Sequence, residues 1–136
     1  MPPDPVEELR GSGGQLLAMI VRAAVDPDTT TFLTPPEAAL QLGFVVYRAG
    51  GAVAPHRHRR FRRELAGTSE VLFVRSGRCV LDLFDEDGSA LAERELAVGD
   101  VALLVGGGHG VRMLENTTLL EVKQGPYTGL DEKEAL

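Results

Sequence analysis

The hydrophobic and polar positions along the chain follow the pattern of short β-strands. From residue 41 onward, the segments rich in valine, leucine and phenylalanine are LGFVVYRAG, VLFVRSGRCVLDLF, ALAERELAVG, VALLV, GVRML and LLEVKQ. Residues that favour turns, chiefly glycine, aspartate, asparagine and serine, separate these segments. An earlier apolar run, LLAMIVRA, predicts a first strand, although a short buried helix fits the same run. Many short strands at regular spacing predict an all-β barrel or double-sheet sandwich.

Two of the separators predict how neighbouring strands connect. Ser76-Gly77 lies between two β-like runs and predicts a tight hairpin. Asp85–Ser89 is a slightly longer turn sequence and predicts a second hairpin.

The length predicts one domain with a leading arm. A chain of 136 residues is long enough for one well-filled core and too short for a second. Residues 1–14 are rich in proline, glycine and acidic residues, which predicts a flexible N-terminal arm. Residues 15–136 are expected to form the single domain.

Composition and charge exclude several classes of protein. Hydrophobic residues at 43% and charged residues at 25% are typical of a soluble globular protein. The net charge of −6 argues against nucleic-acid binding, because proteins that grip phosphate backbones normally carry a basic surface. Cys79 is the only cysteine, so the chain cannot form an intramolecular disulfide or a thiolate zinc cluster. We expect this thiol to be a small core residue.

The sequence gives no indication of export or membrane insertion. The start, MPPDPVEELR, has no positively charged region, and the apolar run of residues 16–21 is too short to span a bilayer. We therefore expect no signal peptide, no membrane partner and a cytoplasmic location.

The three histidines fall where one metal site can collect them. His56 and His58 lie two residues apart at the end of a predicted strand, so their side chains point to the same face. Glu70 opens the next strand and adds a carboxylate, and His109 lies near the start of a later strand. Imidazole and carboxylate ligands suit Fe, Mn, Ni, Zn and Cu. These residues predict a site for one divalent transition metal, and a hydrogen-bonded role in the core is the alternative for each histidine.

The glycines around these residues make the chain similar to the cupins, which carry two sequence motifs. The first motif is a glycine, five residues, His-x-His, a spacer, a glutamate, six residues and a glycine, and the second runs from a glycine to a histidine. The matching residues are Gly50, His56, His58, Glu70 and Gly77 in the first motif and Gly99 and His109 in the second. The resemblance covers residues 41–123.

The chain departs from the cupin pattern in three places. Eleven residues, 59–69, separate His58 from Glu70 where the family has three or four. Val105 stands where the second motif has a proline, and no asparagine follows His109 at the usual position. The spacing leaves an ion pair with the neighbouring arginines as the alternative role for Glu70.

The cupin resemblance implies a fold, a ligand set and a function. The fold is a single-domain double-stranded β-helix, or jelly-roll barrel. The function is that of a metal-dependent oxidoreductase or isomerase acting on a small anionic or oxygen-rich metabolite. Two alternatives stay open: a metal-free sugar-nucleotide isomerase or epimerase with histidine acid–base chemistry, and a cupin that binds a metal or metabolite without turnover.

Cupins commonly pair, so a homodimer is expected, with LLAMIVRA as a segment that could dock. The implied metal ligands are His56, His58, Glu70 and His109.

The arginines before Glu70 predict an anion-binding rim around the metal site. Arg59, Arg60 and Arg62 lie in the long spacer, and guanidinium groups pair bidentately with phosphate or carboxylate. A solvated charged loop is the alternative. Three further residues border the expected lumen as candidates for hydrogen bonds to a small-molecule ligand, with structural roles equally open: Gln41, Tyr47 and Gln124.

Overall fold

Ten β-strands make up the regular structure of residues 4–128 and 132–136, the part of the chain that the computed structural model describes. The strands are β1 (Val6–Arg10), β2 (Leu16–Val21), β3 (Thr31–Phe32), β4 (Gly43–Phe44), β5 (Glu70–Ser76), β6 (Arg78–Phe84), β7 (Ala90–Ala97), β8 (Val101–Leu104), β9 (Gly108–Met113) and β10 (Thr118–Lys123). The prediction of an all-β chain is confirmed. No helix within the described ranges is long and apolar enough to cross a membrane.

The strands form three antiparallel sheets. The five-stranded sheet has the order β1-β2-β8-β5-β10, the three-stranded sheet has the order β7-β6-β9, and β3 pairs with β4. Among the described residues none of these sheets closes into a barrel. The architecture is therefore that of stacked antiparallel sheets with free edges.

The main hydrophobic core lies between the five-stranded and three-stranded sheets. Its buried residues on the five-stranded sheet are Leu9, Ala18, Ile20, Leu72, Val74, Ala102 and Leu104, and those on the three-stranded sheet are Cys79, Leu81, Leu83 and Leu96. Because side chains alternate along a strand, the core residues of β2, β5, β6 and β8 lie at every second position of these strands. Cys79 is fully buried, as expected, and burial raises the pKa of its thiol.

A second core covers the opposite face of the five-stranded sheet. Met19, Val21 and Leu103 are buried there against apolar residues of the 25–44 segment, including Leu33 and Phe44. Both faces of β2 and β8 are therefore covered. This burial explains why LLAMIV and VALL are continuous apolar runs instead of alternating ones. It also places β2 inside the sheet between β1 and β8, so LLAMIV has no free edge for a dimer contact.

Gly77 is the corner where the chain passes from one sheet to the other. β5 belongs to the five-stranded sheet and β6 to the three-stranded sheet, so the tight hairpin predicted at Ser76-Gly77 is wrong. Gly77 has a φ of +88°, and a Cβ there would lie 2.3 Å from the carbonyl oxygen of Asn116. A residue at positive φ suits a corner between sheets as well as a hairpin, which is why the sequence signal was ambiguous.

The second predicted hairpin is confirmed. β6 and β7 are antiparallel neighbours, and the connecting turn is closed by a hydrogen bond from the Asp85 amide to the Ser89 carbonyl at 2.8 Å. Gly88 has a φ of +86° in this turn. The amide of Gly88 donates to the Asp85 carbonyl at 2.9 Å.

Two segments differ from the structure that the sequence predicted for them. β1 forms within the segment for which the sequence predicted a flexible N-terminal arm, while residues 1–3 of that segment lie outside the described residues. LGFVVYRAG predicted a strand that led to the His-x-His pair, but only Gly43–Phe44 of it is strand. The residues that follow, 45–69, contain no strand.

The two edges of the sandwich are unlike. On one side β1 and β7 are joined by the ion pair between Glu7 and Arg94, at 2.7 Å. On the other side β9 and β10 end their sheets and, like β1 and β7, each has a hydrogen-bonded neighbour on one side only. Five of the six residues of β10 are exposed. We call this exposed side, formed by β9 and β10, the open side of the sandwich.

Candidate functional site

Glu70 and His109 meet at the open side of the sandwich. The Nε2 atom of His109 lies 2.6 Å from Oε1 of Glu70, so the imidazole donates a hydrogen bond to the carboxylate. Glu70 is the first residue of β5 and His109 the second residue of β9, so the contact joins the two sheets. Two of the four residues predicted as metal ligands are thus brought together.

Strand alternation puts both side chains between the sheets. Glu70 shares the inner face of β5 with Leu72 and Val74, and His109 shares the inner face of β9 with Val111, which packs on the main core. The contact lies where this core ends at the open edge. Glu70 is accordingly buried while His109 remains about one-third exposed.

The surroundings of Glu70 favour its ionised form. The pKa of Glu70 is lowered from 4.5 to about 2, chiefly by the hydrogen bond from His109 and against the opposing effect of burial. A hydrogen bond with Glu121 and the positive charge of Lys123 make smaller contributions to the same lowering. The site therefore holds a carboxylate at neutral pH.

Glu121 and Lys123 belong to the site, although the sequence analysis did not select them. They lie two residues apart on β10, and Lys123 is paired directly with Glu70 across the β5–β10 ladder. The sequence signal that could have identified them is the spacing of the two charged residues in LLEVK, because residues at every second position of a strand share one face. Recognising the site required knowing that this strand pairs with β5.

These residues line a pocket of about 550 Å³. Its charged lining is dominated by acids, with six carboxylates against two lysines and His109. The acidic residues are Glu70, Asp85, Glu86, Glu121, Glu132 and Glu134. Leu136 closes one end of the pocket beside Gly108, where it comes close enough to fill the space of a side chain at that glycine. The pocket therefore carries an excess of negative charge, which a bound divalent cation would offset.

The two remaining predicted ligands lie elsewhere. His56 and His58 are exposed and belong to residues 47–66, which we call the arginine arm and which contain no strand. Their rings contact each other with centroids 5.2 Å apart, and Nδ1 of His56 lies 2.8 Å from the Ala54 carbonyl oxygen. Within the described residues no group of three or more histidine, cysteine, aspartate or glutamate side chains is placed to hold a metal ion. The predicted four-ligand set is thus divided between the pocket and the arm.

The residues predicted to bind substrate are also divided. Arg59, Arg60 and Arg62 are exposed on the arginine arm, as is Tyr47. Gln41 is used in its own loop, where its amide nitrogen donates to the carbonyls of Pro35 and Ala38 at 3.0 Å and its oxygen accepts from Thr34 at 2.9 Å. The side-chain oxygen of Gln124 accepts a hydrogen bond from the Ser69 amide at 2.8 Å, which fixes the start of β5 beside Glu70.

The lowered pKa of Glu70 predicts a pH-dependent contribution to stability. A carboxyl whose pKa is depressed in the folded state stabilises the protein above its unfolded value, near 4.5, and loses this contribution as the pH falls toward 2. We expect Glu70→Gln to lower the free energy of unfolding by about 2 kcal/mol at pH 6, with a smaller difference from the wild type at pH 3.

Urea unfolding of both proteins at pH 6, 4 and 3 measures this difference. Glu93→Gln is the matched control, because the Glu93 side chain is 73% exposed and lies outside the pocket. A difference between Glu70→Gln and the wild type that stays constant from pH 6 to pH 3 would contradict the assigned ionisation.

Comparison of the chain with protein-family models, with curated proteins and with solved structures finds no match.

Proposed function

We propose that this chain is a cupin-type protein that binds a divalent transition metal beside Glu70 and His109 and acts on a small anionic or oxygen-rich metabolite. The observation that carries the proposal is the 2.6 Å contact between these two residues. They lie 39 positions apart in the sequence, on different sheets, and both match cupin motif positions. We propose that the fold is a jelly-roll, and the two facing sheets of the sandwich support this proposal.

The donor chemistry of the pocket fits such a metal in part. Glu70 supplies an ionised carboxylate and His109 an imidazole, a nitrogen–oxygen set that suits Mn, Fe, Ni, Zn and Cu. Glu121 adds a carboxyl group within hydrogen-bonding reach of Glu70. The remaining donors in this proposal are His56 and His58, which must move toward the pocket with the arm.

Each residue has a role in the proposed reaction. A bound metal supplies Lewis-acid activation of a substrate oxygen. Glu70 holds the His109 ring in one orientation through Nε2, and Lys123 offers an ammonium group to an anionic substrate. The arginines of the arm add further anion-binding groups when the arm covers the pocket.

The metal proposal is tested by calorimetric titration of tag-free protein with Zn²⁺ and Mn²⁺. We expect stoichiometric binding by the wild type and at least about 100-fold weaker binding by Glu70→Gln and His109→Gln, because each removes one donor. Glu93→Gln is the control and should bind like the wild type. Equal affinity in all four proteins would exclude Glu70 and His109 as ligands.

The Glu70–His109 contact also favours a second candidate, metal-free acid–base catalysis. A buried carboxylate that orients an imidazole is the arrangement of a histidine that moves protons at a substrate carbon next to a carbonyl. This candidate predicts that isomerase or epimerase activity survives treatment with a chelator. The metal-dependent candidate predicts that the activity disappears and returns with added metal.

A further inference from the structure

The arginine arm carries groups that none of the described residues covers. All residues from 47 to 66 are exposed, and more than half of the surface of Tyr47, Val53 and Phe61 is accessible. None of its six arginines forms an ion pair with any residue that the structure describes. The residues that flank the arm are held to the body, Val46 by a hydrogen bond with Thr30 and Ser69 by one with Gln124.

The open side of the sandwich lacks a partner as well. β9 and β10 present unpaired backbone groups, and about half of the surface of Leu120 and Val122 on β10 is exposed. A free edge flanked by apolar side chains is a template for an additional extended segment. The arm is long enough to be such a segment, because 20 residues anchored at both ends reach roughly 33 Å from the body.

The charges of the arm and the body are opposite. Six of the 14 basic residues and one of the 20 acidic residues of the chain lie in residues 47–66. The arm therefore carries a charge of +5 and the rest of the chain −11. The acidic pocket that contains Glu70 and His109 lies at the open side, so attraction directs a basic arm toward it.

We propose that the arginine arm docks along the open β9–β10 side of a second copy of the chain, which returns its own arm to the first. This reciprocal contact has two-fold symmetry and covers the β9–β10 side and the arm of both copies. The inference rests on the arm, the edges and the charges, and it stands without a metal. One part of it rests on the proposed function: the exchange brings His56 and His58 of the partner copy toward Glu70 and His109, so that one complete site contains residues of two chains.

The molar mass in solution provides the first test. Size-exclusion chromatography with light scattering should give twice the 14.6 kDa of the chain at 0.1 M NaCl. Because opposite charges join the copies, the dissociation constant should rise by about tenfold or more in 1 M NaCl. The combined variant Arg59→Glu, Arg60→Glu, Arg62→Glu and Arg63→Glu should be a monomer with an unchanged circular dichroism spectrum. The same four positions changed to lysine are the matched control and should remain dimeric. A dimer that persists after charge reversal would overturn the proposal.

Disulfide trapping separates exchange between copies from folding back within one copy. A mixture of Phe61→Cys and Leu120→Cys proteins, oxidised together, should give a covalent dimer that contains one chain of each kind. A mixture of Phe61→Cys with Glu8→Cys, on the opposite edge at β1, is the control and should not. The native Cys79 is fully buried and does not compete. If the double variant Phe61→Cys, Leu120→Cys forms only an intramolecular disulfide in a monomer, the arm folds back on its own chain and the proposal fails.

The same samples also test for a nucleic-acid partner and distinguish the exchange proposal from the metal proposal. A monomer whose elution shifts only after a single-stranded RNA oligonucleotide is added would assign the arm to nucleic acid and overturn the exchange. A cross-linked dimer that takes up no Zn²⁺ or Mn²⁺ would support the exchange and reject the metal proposal. A monomer that binds metal through Glu70 and His109 would do the reverse.

Discussion

Gly77→Ala is expected to lower the free energy of unfolding by about 3 kcal/mol. The residue has a φ of +88°, which an alanine adopts only with strain. The added Cβ would also meet the Asn116 carbonyl oxygen at 2.3 Å and Oγ1 of Thr117 at 2.5 Å. Because Gly77 joins the two sheets, neither strand can shift without disturbing the core between them.

The Gly88→Ala variant measures the cost of backbone strain without the steric clash expected in Gly77→Ala. Gly88 has nearly the same φ, +86°, but no heavy atom lies within 4 Å of the added Cβ. Its replacement should therefore cost only the strain, roughly 1 kcal/mol. Chemical denaturation of both variants measures the difference. Equal destabilisation of the two would show that the corner has room for a side chain.

Asp100→Ala is expected to lower the free energy of unfolding by a similar amount, about 3 kcal/mol. The buried carboxylate accepts hydrogen bonds from the amides of Ala23 at 2.9 Å and Ala97 at 2.8 Å. It also pairs with Arg22 at 3.1 Å. Alanine would leave the amides and the guanidinium without this acceptor, in a region that ties the turn before β8 to the end of β2.

Asp28→Ala is the matched control, because Asp28 is exposed and lies outside both cores. It should change the free energy of unfolding by less than about 0.5 kcal/mol. Thermal and urea unfolding of the two variants at pH 7 make the comparison. A loss below 1 kcal/mol for Asp100→Ala would mean that water replaces the carboxylate without penalty.

The elements that were predicted correctly depend on local pattern. The apolar runs of β2 and β5 and the turn at Asp85–Ser89 can be read from neighbouring residues. The connection at Gly77 could not, because a hairpin and a corner between sheets both use a glycine at positive φ. What distinguishes them is the pairing of β5 with β8 and β10, and these contacts are distant in the sequence.

The site was predictable to the same extent. Glu70 and His109 were selected as candidates, and sheet packing brings them together. Glu121 and Lys123 were missed because their face is polar only where β10 lies beside Glu70. His56 and His58 were expected on one face of a strand. Side chains two residues apart share a face only where the segment is a strand, and a strand needs a neighbouring strand to pair with. In a single copy the described arm has none.

The most direct test of the central claim, that Glu70 and His109 bind a divalent metal, is an imidazole nitrogen spectrum. Uniformly ¹⁵N-labelled, tag-free protein would be recorded before and after one equivalent of Zn²⁺, with the three histidines assigned by single His→Gln variants. Our account predicts that the His109 nitrogen resonances move on addition of Zn²⁺ and that the movement is lost in Glu70→Gln. Resonances of His109 that stay unchanged at stoichiometric Zn²⁺ would contradict it.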